Sequence, residues 1–338
     1  MRQPASPVCA SALHTGRSVT VLAFLSLAGA FIVPASCAKD PSEMGEPPGT
    51  GSGGQTGSGG QTASGSGGSV TGGTGSGGAT VTDPGPLIPG CTPAPLSSQG
   101  TLMGQYGTAK VMAGGREYFL QVNEWNSTSP QTMSYGGPYA FKMTEQMGVG
   151  QTSGGPAGFP SLFIGANANH STNGSNLPKQ VSALQSVLTT WNWNDNGTLA
   201  DKTTNIFNAT YDVWFSTSPA GEPSAYTPTG GFLMVWLHKP TGAQPIGSVK
   251  YPSVTIPGVP GQWNVWVGLN GKVPCISYVA TQSTTSLSTD LNAFIKDAVA
   301  NRAGTIQSSW YLTNVFTGFE IWKGGVNLES TSFCAVVE

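Results

Sequence analysis

Residues Gly231–His238 read GFLMVWLH, a run with the texture of a β-strand. Apolar, β-branched and aromatic side chains fill it. Gly230 precedes it and Pro240 follows it, the punctuation that bounds a β-strand. Met234 and Trp236 are two residues apart, so they share one face of that strand. Outward on both sides the same texture recurs between clusters of Gly, Pro, Asn and Ser. Glu117–Trp125 (EYFLQVNEW), Asn208–Ser216 (NATYDVWFS), Gln262–Gly268 (QWNVWVG), Pro274–Ala280 (PCISYVA) and the run from Ser309 to Trp322 all read as strands. Many short strands with frequent turns predict a sandwich or barrel. Asn123 and Trp125 are also two apart and are expected on one face, with Glu124 opposite them at the rim or toward solvent.

One segment departs from this pattern. Leu287–Asn301 places Leu291, Phe294, Ile295, Ala298 and Val299 at helical spacing. Ser288 or Thr289 is expected to cap its start, and Gly304 lies just past its end. The expectation is an all-β sandwich over residues 91–338 with one packed helix, large enough for a substantial core.

The rest of the chain has a different character. Of 338 residues, 48 are Gly and 25 Pro, and only 9% are charged. The net charge is −2, with no run of Lys or Arg. Phosphate binding needs clustered cations, so nucleic acid is excluded as an expected partner. A surface of Ser, Thr, Asn, Gln and Gly suits a neutral, hydroxyl-rich ligand better. Residues 1–37 read as an export signal: Arg2 and Arg17 are basic, and Val19–Val33 is an apolar core too short for a membrane span of about 20 residues. Cys37 follows small residues and stands either as a lipidated anchor or beside an ordinary cleavage site, so the protein is expected to be secreted or held at the outer cell surface. Residues 38–90 are Gly/Ser-rich and expected to act as a flexible tether.

Five cysteines are present, and Cys91, Cys275 and Cys334 fall in the folded part, where at most one bridge can form among the three. No C-x-x-C occurs. His170 and His238 lack ligand spacing, so neither a metal nor a cofactor is expected. No G-x-S-x-G elbow supports a serine hydrolase. Trp191, Trp193, Trp263 and Trp310 are expected in the core. A monomer is expected.

Several segments, in order, resemble glycoside hydrolase family 12. They are Tyr118–Asn126 (YFLQVNEWN), Phe159–Gly165 followed by Asn176-Leu177-Pro178, Tyr211–Phe215 (YDVWF), Leu233–Leu237 with Pro245-Ile246-Gly247, Trp266–Gly271 with Ser277–Ala280, and Gly318–Gly325 (GFEIWKGG). The resemblance implies a jelly-roll of two curved antiparallel sheets whose concave face holds a β-1,4-linked glucan of cellulose, mixed-linkage or xyloglucan type. It implies endo-hydrolysis with retention, which needs two carboxyl groups about 5 to 5.5 Å apart. Glu320 matches the general acid/base and Asp212 the helper aspartate. Asn123, Trp125, Met234, Trp236 and Trp322 fall at cleft positions.

The family's nucleophile Glu immediately precedes its Leu-Met-Val-Trp-like run, and that position here is Phe232. Phenylalanine cannot form a glycosyl ester, and it withdraws a charge that normally helps keep the acid protonated. Two outcomes follow from this departure. Asp212 serves as base for an inverting reaction, which needs a gap of about 6.5 to 9.5 Å; or the cleft binds glucan without cutting it. Glu222, in a Pro/Ser/Thr-rich loop, is the one further carboxylate that a loop could deliver. A structural role, such as a surface coat, predicts no saccharide binding at all.

Overall fold

The computed structural model describes residues 38–39, 88–127, 130–145, 155–167, 169–219 and 228–338. The export signal with Cys37, most of the tether, Ala168 and Glu222 lie outside the described residues. Ala38–Lys39 pair with Gln244–Pro245.

Two sheets carry the fold. The larger runs, strand by strand, through Ser248–Val254, Trp263–Asn270, Val273–Ala280, Gly231–His238, Ala209–Ser216, Tyr311–Gly318, Ser161–Asn167, Arg116–Gln121 and Thr108–Ala113. The smaller runs through Ser286–Asp290, Val187–Asn194, Glu329–Val337, Tyr139–Glu145, Thr132–Gly136 and Gly100–Met103. All but one of the strand pairings among the described residues are antiparallel. The exception is Gly231–His238 beside Val273–Ala280, which run parallel.

The alternation read from the sequence divides these side chains between two apolar clusters. Leu233, Val235 and Leu237, with Tyr211, Val213 and Phe215, join Trp191, Phe141 and Phe333 of the smaller sheet in the core between the sheets. Trp193 and Trp263 are buried in that core and Trp310 packs against it, as the sequence led us to expect. Phe232, Met234 and Trp236 point the other way. They join Phe119, Phe163, Trp214 and Phe316 in a second cluster on the outer face of the larger sheet. This strand is therefore buried on both faces; one makes the core between the sheets and the other joins the second aromatic cluster.

The helix begins later than its periodicity suggests. Ser286–Asp290 is a strand paired with Val187–Asn194, and the helix spans Asn292–Asn301. Neither Ser288 nor Thr289 caps it. The Asp290 carboxylate instead accepts the backbone N–H of Asn292 at 3.0 Å and of Val187 at 2.7 Å, closing the helix start and the neighbouring strand together. Phe294, Ile295 and Ala298 are buried as the spacing requires. Phe294 meets Trp263 edge-on at 5.0 Å and Tyr278 at 4.9 Å, which seats the helix on the core side of the larger sheet.

Cys91 and Cys334 are bridged across 243 residues of sequence. The bridge pins the segment that enters the fold to the middle of the smaller sheet, where Thr190 Oγ1 also donates to Cys91 O at 3.1 Å. Closing so long a loop removes much of the unfolded chain's freedom, and Cys91→Ser with Cys334→Ser is expected to lower stability by about 3 kcal/mol. Guanidinium unfolding of the oxidised parent and the double variant measures this; equal midpoints contradict it.

Candidate functional site

The outer face of the larger sheet is laid out in rows by its register. In the central row Ser277, Met234, Asp212, Phe316, Phe163, Phe119 and Lys110 lie directly across from one another. In the row beside it Cys275, Phe232, Trp214, Asn314 and Gly165 do the same. Aromatic rings touch along this surface. Phe119 stacks on Phe163 at 5.6 Å, Phe163 meets Phe316 at 4.6 Å, Phe316 meets Trp214 at 5.6 Å, and Trp214 meets Phe232 edge-on at 5.5 Å. Trp236 and Trp322 approach to 6.2 Å on the same side.

Two carboxylates are set into this apolar surface. Asp212 follows the core residue Tyr211 and precedes the core residue Val213, so alternation turns it to the outer face. It is 4% exposed and Oδ1 has no protein partner. Burial pushes its carboxyl up to about 7. The Trp214 indole N–H lies near enough to offset part of that rise, but not in hydrogen-bonding geometry, and Nε1 is also left without a partner.

Glu320 lies between Phe319 and Ile321, both of the inter-sheet core, which turns it toward the same outer face as Trp322. Its strand ends at Gly318, and only glycine fits there. A Cβ would come within 2.2 Å of Pro160 O. Glu320 is held on three sides by one residue, Asn208. The Asn208 amide donates to Glu320 Oε2, Glu320 N donates to Asn208 Oδ1 at 2.9 Å, and Asn208 N donates to Glu320 O at 3.0 Å. Sequence reasoning missed Asn208. An asparagine just before a strand reads as a turn residue, and nothing local marks its partner 112 residues away. Asn208→Leu removes the Asn208 bonds to Glu320 N and Oε2, and is expected to cost about 2 kcal/mol. Urea melts of the two proteins check this.

The structure places the other expected residues as follows. Met234, Trp236 and Phe232 are fully buried, and Trp322 nearly so, all in the outer-face cluster. Trp125 is partly buried and packs against it. Asn123 and Trp125 reach their places by a different route from the one expected. The strand stops at Gln121, and Asn123 has a positive φ of 48°, so period-two alternation no longer applies. Glu124 is not at the rim. It is 5% exposed, with Oε2 accepting the Gln131 N–H at 3.2 Å. His170 packs on Phe119 at 4.9 Å, and His238 Nδ1 lies 3.0 Å from Ser283 Oγ. Among the described residues no group of three His, Cys, Asp or Glu could hold a metal ion. The arrangement sets two buried carboxyl groups, Asp212 and Glu320, beside a buried aromatic cluster on one face of the larger sheet.

Residues 116–338 match the sequence model of glycosyl hydrolase family 12. The chain is 36% identical over 160 residues to a probable xyloglucan-specific endo-beta-1,4-glucanase A of Aspergillus terreus, covering 47% of this chain and 58% of that one. It thus spans little more than half the length of that relative. It is 32% identical over 168 residues to a probable cellulase Cel12b of Mycobacterium tuberculosis, covering 48% of this chain and 99% of the relative. Among solved structures it resembles endoglucanase cel12A from Rhodothermus marinus, with a TM-score of 0.60, 33% identity, and coverage of 71% of this chain and 99% of that one.

Proposed function

The chain belongs to glycosyl hydrolase family 12, and from that premise we propose that it acts on β-1,4-linked glucan chains of cellulose, mixed-linkage or xyloglucan type, held across the aromatic outer face of its larger sheet. The observation that carries this reading is the pair Asp212 and Glu320, two buried carboxylates beside a cluster rich in Phe and Trp. Glu320 is assigned as the general acid, with its carboxyl oriented by the Asn208 amide. Asn123 and Trp125 are assigned to holding sugar rings, and Met234, Trp236 and Trp322 to the buried apolar layer that backs them.

Phe232 stands where the family's nucleophile is expected, so the double-displacement route that retains configuration is closed. Hydrolysis then requires a single displacement in which Asp212 takes a proton from water while Glu320 gives one to the leaving oxygen. A second reading is favoured by a specific observation. Phe232 is fully buried against Trp214, and Asp212 is driven toward its neutral form, which makes it a poor base below pH 7. On that reading the protein binds glucan and does not cut it. Export, and either release or anchoring through Cys37, are proposed with both readings, as is a monomeric state.

Reducing-end release from carboxymethylcellulose, barley β-glucan and xyloglucan separates them. Release that disappears in Glu320→Gln supports hydrolysis, and an inverted product assigns Asp212 as base. Affinity for these glucans with no release supports the binding reading. No release and no affinity for any of the three rejects both.

A further inference from the structure

Glu124 is a buried carboxylate that the proposed chemistry does not use. We infer that it is a positioning residue, fixing the Asn123–Trp125 segment against the backbone that carries Glu320. The inference rests on the reading of the cleft as a glucan site.

Three backbone segments lie side by side here. Phe159 N donates to Asn123 O at 2.8 Å, and the amides of Trp125 and Asn126 both donate to Ala157 O at 3.0 Å. On the other side of the same segment, Ala157 N donates to Ile321 O at 2.6 Å and Ile321 N donates to Gly158 O at 3.0 Å. Residues 157–159 are therefore shared between the segment that carries Trp125 and the one that carries Glu320. A shift of the first is passed to the second through one short ladder.

Beyond these backbone bonds, the Glu124 side chain ties the first segment to the smaller sheet. It is buried. Glu124 Oε2 accepts from the backbone N–H of Gln131, the residue before the strand Thr132–Gly136 of the smaller sheet. Gln131 is fully buried, and its Nε2 returns to Val122 O at 2.9 Å. The carboxyl and the Gln131 amide thus tie residues 122–125 to the smaller sheet from both directions. Asn123, with its positive φ, breaks the regular strand, while Val122 N and Glu124 N still donate to Gly107 O and Gln105 O at 2.9 and 2.8 Å. An acceptor at position 124 is required, because the buried Gln131 N–H has no water to turn to. A formal charge is not, since a neutral amide oxygen accepts the same N–H; burial raises the Glu124 carboxyl from its ordinary value.

The experiment measures binding of cellohexaose and of soluble xyloglucan by titration calorimetry to the parent protein, Glu124→Ala, Glu124→Gln, Trp125→Ala and the double variant Glu124→Ala/Trp125→Ala. Trp125→Ala is expected to weaken binding about tenfold. Glu124→Ala is expected to weaken it by a similar factor, and the double variant by no more than Trp125→Ala alone, since Glu124 acts through Trp125. Glu124→Gln, which keeps an acceptor, is expected to bind like the parent. Unchanged binding in Glu124→Ala, or losses that multiply in the double variant, overturns the inference. If Trp125→Ala binds as well as the parent, the cleft reading falls and the inference falls with it, a result distinct from failure of Glu124 alone. Where Glu124→Ala does not fold, Glu124→Met and Glu124→Gln replace it. The two are matched in length and differ in the acceptor, and equal binding by them overturns the inference.

Discussion

Phe232→Glu is expected to raise glucan hydrolysis at least about a hundredfold and to give products of retained configuration. Position 232 faces the outer surface, directly across from Trp214 and Cys275, and one row along from Asp212. A carboxylate there would lie diagonal to Asp212 on the neighbouring strand, within reach of a long side chain. Asp212 Oδ1, now without a partner, would then have a group with which to share a proton. The new carboxylate supplies the attacking oxygen that Phe232 denies, and splits one difficult displacement into two easier ones. Glu320, already clamped by Asn208, serves as acid in the first and base in the second. The substitution costs stability, because a phenyl ring packed edge-on to Trp214 is lost from a fully buried place, a change worth about 3 kcal/mol. Reducing-end assays must therefore be read beside a melting curve. Mass spectrometry after treatment with a 2-deoxy-2-fluoro cellobioside should show a covalent adduct in the variant and none in the parent. Hydrolysis should vanish again in Phe232→Glu/Glu320→Gln. A folded Phe232→Glu protein with no adduct and no release would mean that position 232 is not where the nucleophile belongs.

What was legible in the sequence was whatever depended on short periods. Gly231–His238 folds as a strand with the bounds read from its flanking Gly and Pro, and Met234 and Trp236 share a face because two residues separate them. The helical spacing of Phe294, Ile295 and Ala298 held for the same reason. The segment just before them misled, because Leu287 and Thr289 also fit an alternating strand and a five-residue run cannot distinguish the two periods. Asn123 misled in another way. A single residue in the left-handed region ends a strand pattern, and asparagine accepts that conformation with no outward sign. That one torsion sends Glu124 into the protein instead of to the rim. The parallel pairing of Gly231–His238 with Val273–Ala280 and the Asn208 clamp on Glu320 join residues far apart in the chain. No local period encodes either of them.

Asp212 makes the protein less stable as pH rises, and Asp212→Asn is expected to remove that loss. The folded protein raises the Asp212 carboxyl from an ordinary 3.8 to about 7, chiefly by burial. Between pH 4 and 7 the folded form holds a proton that the unfolded chain has released. Stability is then fully present below pH 4 and falls as pH rises through 7, by up to about 1.4 kcal/mol per pH unit. Over three units this amounts to about 4 kcal/mol as an upper value, less whatever relief water or a bound ligand gives to Oδ1. Asp212→Asn keeps the shape and removes the titration, so its melting temperature should rise above the parent's near pH 8 and match it near pH 4. Parallel thermal melts from pH 4 to pH 8 decide the point, and parallel curves with no divergence would show that Asp212 is not buried as an uncompensated acid. The same comparison bears on function. A glucan hydroxyl donating to Asp212 Oδ1 would supply the partner the protein does not, so ligand should stabilise the parent more than Asp212→Asn at pH 8. A buried carboxylate whose Oδ1 lacks a partner, kept at such a cost beside an aromatic cluster, is best explained by a polar ligand that completes it.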